Sequence, residues 1–126
     1  MMSFKILLVL SGVLAIISAK SVEKLTNNEF DLRLCDYKSS PRLVYQETWT
    51  AATHAYGVSE IDFYWPINTI NTKNITCIEA FNQFNMGDGG YPAIISGGLY
   101  EKEVKIKITS QPGKGLRYVM QISTEE

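Results

Sequence analysis

Residues 104–109 read Val-Lys-Ile-Lys-Ile-Thr, apolar and polar in strict turn. Successive side chains of an extended strand point to opposite faces. A period of two therefore specifies a strand with one face on a core and the other in water. The same period recurs along the chain. Phe30, Leu32 and Leu34 alternate with Asp31 and Arg33, and Leu43, Tyr45, Glu47 and Trp49 share one face of a second strand. Ile61, Phe63 and Trp65 alternate with Asp62 and Tyr64, and Pro66 stops that run. Ile75, Cys77 and Phe81 fall on one face of a fourth strand, and Tyr91, Ala93 and Ile95 mark a short fifth. After the sixth, Val104–Thr109, a seventh sets Leu116, Tyr118, Met120 and Ile122 against Arg117, Val119 and Gln121. No window beyond residue 20 has the 3.6-residue period of an amphipathic helix. About seven short strands with regular turn signals predict an all-β fold, a small antiparallel β-sandwich or barrel.

Turn chemistry punctuates the strands. Gln111-Pro112-Gly113-Lys114 puts proline and glycine where a type II turn requires them. It is expected to join strands six and seven as a hairpin, with Gly115 at a bulge or closing position. Gly87-Asp88-Gly89-Gly90 and Gly97-Gly98 bracket strand five. Gly89, Gly90, Gly97, Gly98, Gly113 and Gly115 are thus read as structural turn residues, sites of reversal, bulge or close backbone approach. Asp88 reads as an Asx turn or as a calcium ligand. With only Asn85 nearby as a second side-chain donor, the calcium reading is thin.

The chain opens differently. Met1–Lys5 carries one positive charge, Ile6–Ile17 is almost wholly apolar, and the small Ser18 and Ala19 precede Lys20. That order predicts a signal peptide over 1–19, cleaved before Lys20. An apolar run of about 12 residues is short of the roughly 20 that span a bilayer. A polar lead-in over 20–29 and a single β domain over 30–126 complete the expected organisation, and the expected location is secreted and extracellular. Cys35 and Cys77 are the two cysteines and both survive the cut. In an oxidising compartment they read as one disulfide, otherwise as two buried thiols. Closing that loop would stabilise the fold by about 4 kcal/mol on the chain-entropy model. Asn74-Ile75-Thr76 matches the Asn-x-Ser/Thr glycosylation signal.

Composition narrows the function. Without residues 1–19, which carry Lys5, 11 basic side chains face 13 acidic ones, a net charge of −2. That is not the positive excess that binding to a phosphate backbone needs, so no nucleic-acid partner is expected. One histidine and two cysteines exclude a multi-histidine or four-cysteine metal site within one chain, and neither metal nor cofactor is expected. Glu47 and Glu79 fall on faces that otherwise look apolar. Each reads as a catalytic carboxylate with a raised pKa, or as a bulge, edge or solvent-facing position. His54 lies in a loop, and the Gly-x-Ser-x-Gly elbow of many hydrolases is absent. No catalytic residues are assigned. Trp49, Tyr56, Tyr64 and Trp65 are the candidate binding surface, since aromatic faces with a polar edge suit sugars and peptides; the competing reading places them in the core.

The C-terminal half carries a longer pattern. It runs Ile75-Thr76-Cys77-Ile78, then Gly87-Asp88-Gly89-Gly90-Tyr91-Pro92-Ala93-Ile94-Ile95-Ser96-Gly97-Gly98. It continues as Val104-x-Ile106-x-Ile108-Thr109-Ser110-Gln111-x-Gly113-Lys114-Gly115-Leu116-x-Tyr118-Val119. This resembles the arthropod family named for multiprotein bridging factor type two, many of whose members are labelled salivary secreted peptides. The resemblance covers Ile75 to Ile122, with a weaker echo at Leu43–Thr50. It implies a single small β domain behind a signal peptide, and it brings no catalytic residues. The resemblance does not imply the Cys35–Cys77 pairing, which rests on this sequence alone. Three functions follow as expectations. The first is a secreted, non-enzymatic binding protein whose partner is an extracellular protein or glycan, with no membrane association once the signal is removed. The second is the coactivator that the family label implies, bridging transcription factors. The third is a small secreted hydrolase. Ligand, oligomeric state and tissue are left open.

Overall fold

The computed structural model describes residues 29–38 and 40–126. The expected signal peptide over 1–19 and the lead-in up to residue 28 lie outside the described residues. Seven strands follow: β1 Leu32–Cys35, β2 Arg42–Ala51, β3 Glu60–Trp65, β4 Ile75–Asn82, β5 Tyr91–Gly97, β6 Val104–Thr109 and β7 Leu116–Thr124. A 3-10 turn at Met86–Asp88 precedes β5, and there is no α-helix among the described residues. The strands form two antiparallel sheets, one ordered β1-β4-β7-β2 and the other β3-β6-β5. The fold is the expected β-sandwich.

The alternation explains the core. Ile61, Phe63 and Trp65 of β3 and Val104, Ile106 and Ile108 of β6 turn inward from the three-stranded sheet. Leu116, Tyr118, Met120 and Ile122 of β7 meet them from the four-stranded sheet, with Ile78 and Ala80 of β4 and Leu32 of β1 beside them. Burying each large aliphatic side chain contributes roughly 1.5–3 kcal/mol.

Three bulges break the simple period. Thr76, Val44 and Ile95 are the extra residues in β4, β2 and β5. The bulge at Thr76 corrects the expected face of β4. Ile75, Ile78 and Ala80 face inward, while Cys77, Glu79 and Phe81 lie on the outer side of the sheet. In β5, Tyr91, Ala93 and Ile95 are exposed, and Ile94 packs on the core.

The expected hairpin between strands six and seven is not formed. Gln111–Lys114 does make its turn, with Lys114 N–H on the Gln111 carbonyl at 3.1 Å and Gly113 at φ +75°. The chain nevertheless leaves β6 in one sheet and enters β7 in the other. A type II turn reverses the chain over four residues and does not choose the sheet that the next strand joins. β5 and β6 instead form the hairpin, closed by Gly98 N–H on the Glu103 carbonyl at 3.0 Å. Its tip docks on β4: Tyr100 N–H donates to the Ile75 carbonyl and Ile75 N–H to the Glu101 carbonyl, both at 2.8 Å.

Candidate functional site

One end of the sandwich gathers the glycine-rich segments around Ser110 and Gln111. Ser110 N–H donates to the Ser59 carbonyl at 2.8 Å, and Ser59 N–H donates to Ser110 Oγ at 2.7 Å. The Ser59 hydroxyl donates to the Ala52 carbonyl. Gln111 Nε2 donates to the Gly87 carbonyl at 2.9 Å and the Gly89 carbonyl at 2.8 Å. Gly113 N–H reaches the Gly57 carbonyl at 2.8 Å. The loops after β2, after β4 and before β7 are thereby fixed to one another. Between them lies an open cleft of about 360 Å³, lined by Thr53, Gln83, Phe84, Asn85, Asp88 and Gly113–Gly115. Lys114 Nζ sits 3.1 Å from Asp88 Oδ1 on its wall. A lysine ammonium at that carboxylate opposes a calcium ion there. Asp88 sits in a 3-10 turn, its N–H on the Asn85 carbonyl at 2.8 Å, and no Asx hydrogen bond of its carboxylate forms among the described residues.

Beneath this end, Tyr118 is fully buried. Its hydroxyl donates to the Phe30 carbonyl at 2.7 Å, with the Gly90 carbonyl at 3.1 Å as a second acceptor, and accepts Gly90 N–H at 3.0 Å. Burial pushes its pKa up to about 12; the Gly90 hydrogen bond opposes that rise and the charge of Asp31 adds to it. Gly90 admits no side chain, because a Cβ would meet Leu116 Cδ2 at 2.5 Å and the Thr109 carbonyl oxygen at 2.7 Å. Asp31 accepts Asn82 N–H at 2.7 Å, and burial raises its pKa against that bond.

A second depression, of about 280 Å³, lies on the outer face of the four-stranded sheet. Cys35 and Cys77 are directly opposed between β1 and β4 and form a disulfide, S–S 1.93 Å. One row along, Arg33 faces Glu79, Nε 3.0 Å from Oε2, without the alignment of a hydrogen bond. The Glu79 side chain is 13% exposed. Burial raises its pKa while the Arg33 guanidinium pulls it back down. The two sulfurs and the Glu79 carboxylate lie within 4.8 Å of one another. The disulfide occupies both sulfurs, so this trio does not hold a metal as it stands.

The residues singled out from sequence are dispersed. Trp65 is buried, and Trp49 is half-buried edge-on to Phe63 at 5.3 Å, its Nε1 donating to the Tyr45 hydroxyl at 2.9 Å. Tyr64 points the other way, its hydroxyl on Glu103 Oε1 at 3.2 Å; accepting that bond, the Glu103 carboxylate raises the Tyr64 pKa. Tyr56 is fully exposed in the β2–β3 loop. Strand parity thus divides the expected aromatic surface between core and solvent. Glu47 is exposed on β2, an edge strand, and His54 is exposed in the loop that follows. Among the described residues His54 makes no hydrogen bond or ion pair to a serine or carboxylate, so the three parts of a hydrolase triad are not assembled around it. Sequence reasoning missed Thr53, Gln83, Phe84 and Lys114 as cleft residues. The available signal is the pair of glycine-rich runs, which mark turns but not the cleft between them.

A family model described as "Transcription activator MBF2" matches residues 37–122, more than half of the chain. The chain belongs to the MBF2 family. The match extends upstream of the Ile75–Ile122 pattern to residue 37, just after β1, so it takes in β2 to β6 and most of β7. The chain is also similar to a protein of Bombus ignitus named "Probable salivary secreted peptide", with 36% identity over 55 residues, 44% of this chain and 41% of that protein. It spans about two-fifths of that relative's length. No solved structure matches.

Proposed function

We propose that this MBF2 chain is a small secreted protein that binds a partner rather than transforming a substrate. The Cys35–Cys77 disulfide carries this reading, because cytosolic and nuclear proteins rarely keep one. The salivary name of the Bombus relative supports it. Binding without chemistry is supported by the commitment of the polar side chains: Glu79 faces Arg33, Asp88 faces Lys114, and Tyr118 holds two stretches of backbone. The partner is an extracellular protein or glycan, and it docks at the loop-end cleft, where Phe84 supplies a half-exposed ring beside the Lys114–Asp88 pair.

The test is the intact mass of the full chain expressed in eukaryotic cells, with and without reduction. A product in the medium that starts at Lys20 and has no free thiol is expected. A chain kept in the cell with Met1–Ala19 attached and both thiols free would reverse the reading. The family description favours a second function in that event, a bridge between transcription factors, and the partner search moves to nuclear extract.

A further inference from the structure

Thr76 is 3% exposed, and its hydroxyl has no hydrogen-bond partner among the described residues. A buried polar group left unpaired is costly, and each instance in a folded protein calls for an explanation. Valine has nearly the same shape and a higher affinity for a buried strand position, so packing does not account for threonine here. Two residues earlier stands Asn74, half-buried at the mouth of β4. Its Oδ1 accepts from Lys102 Nζ at 2.8 Å, its N–H donates to Glu125 Oε2 at 2.9 Å, and its carbonyl accepts Glu125 N–H at 3.0 Å. Its Nδ2 donates to nothing among the described residues. The backbone is therefore anchored while the amide nitrogen is unengaged.

We propose that Asn74 carries an N-linked glycan, and that the signal is read on the extended chain before β4 enters its sheet. This rests on the secretion proposed above. The Thr76 hydroxyl is what the modifying enzyme must find, and in the folded domain it is enclosed. A threonine at a position suited to valine is then explained by recognition in the unfolded chain. In the transfer, Asn74 Nδ2 bonds to the anomeric carbon of a lipid-diphosphate-linked oligosaccharide. The bond from that carbon to the phosphate oxygen breaks, the lipid diphosphate leaves with the bonding electrons, and the enzyme's base takes one amide proton. The glycan emerges where β4 begins and β7 ends. The loop-end cleft lies past the other ends of the same two strands, so the sugar leaves it open.

The experiment replaces residues 1–19 with a signal sequence of established function, which separates this proposal from the native leader's competence. Wild type, Asn74→Gln, Thr76→Ser and Thr76→Val are secreted from eukaryotic cells and weighed before and after peptide N-glycosidase. Wild type and Thr76→Ser should lose a glycan mass; the other two should have none to lose. In the unglycosylated Asn74→Gln background, adding Thr76→Val should leave Tm unchanged or raise it. Oxidised, folded protein from bacteria should resist a microsomal transferase fraction supplied with lipid-linked oligosaccharide, and the reduced, unfolded chain should accept the sugar. Unmodified wild type in the medium would overturn the site. Equal modification of folded and unfolded chain would overturn the timing. A Tm drop beyond about 4 °C with Thr76→Val, roughly 1 kcal/mol in a domain this size, would give the hydroxyl a structural role instead. A chain carrying its native leader, run in parallel, reports on secretion alone.

Discussion

Tyr118 makes a testable link between one hydroxyl and the stability of the domain. Replacing it with phenylalanine keeps the packing and removes the hydroxyl that holds the Phe30 carbonyl and the Gly90 N–H. The expected cost is about 1–3 kcal/mol, read as a lower urea midpoint with an unchanged slope. The same residue predicts a pH dependence. Its folded pKa is about 12, above the value near 10 of an unfolded tyrosine. The folded state then holds the proton more tightly, so this contribution is complete below pH 10 and is lost as pH rises through 12. Urea titrations across that window should show stability falling in wild type, and less steeply in Tyr118→Phe. Glu79 has the same sign in the carboxylate range. With its folded pKa raised, its contribution is present at acid pH and is lost as the group ionises. Glu79→Gln should therefore flatten the acid limb of the stability profile, measured by the same titrations.

At the scale of elements, the outer face of the four-stranded sheet is stapled where β1 meets β4. Reduction, or the double change Cys35→Ser and Cys77→Ser, should cost about 4 kcal/mol on the loop-entropy model, with the strand signature retained in far-UV dichroism. The β5–β6 hairpin has a sharper dependence. Gly97 sits at φ +69°, and a side chain there would be driven into the Glu103 carbonyl, so Gly97→Ala should destabilise by about 1–3 kcal/mol in denaturant titration. The strands themselves were legible in the sequence because alternation is local. Ile61, Phe63 and Trp65, Val104, Ile106 and Ile108, and Leu116 to Ile122 all face where their period puts them. Two things were not legible. A bulge such as Thr76 shifts parity by one residue and carries no mark in the side chains, so the period alone puts Cys77 and Phe81 on the face of Ile75, from which the bulge separates them. Pairing between strands was equally hidden. Arg33 faces Glu79, and the loops at Thr53, Phe84 and Lys114 share a cleft, only because distant segments come together in register. The glycine runs were visible, but the cleft they enclose depends on Ser59 and Gln111 holding three loops at once.

For the molecule as a whole, the two sheets share one core, and both tryptophans report on it. Trp65 lies inside and Trp49 packs edge-on against Phe63 at its border. Indole emission should move to the red on unfolding, in step with far-UV dichroism, as one transition. Separate midpoints would mean that the sheets come apart independently. The order of strands has its own consequence. The last described strand in the chain, β7, lies between β4 and β2 in the interior of the larger sheet. Without it, the β1–β4 pair and β2 have nothing to join them, and Tyr118, Met120 and Ile122 are missing from the core. A ribosome must deliver residues 116–124 before that sheet can close. Messages cut short anywhere upstream of them yield chains with open edges and a bare apolar face, the marks by which quality control finds its substrates. Placing β7 at the centre makes closure of the larger sheet wait on residues 116–124.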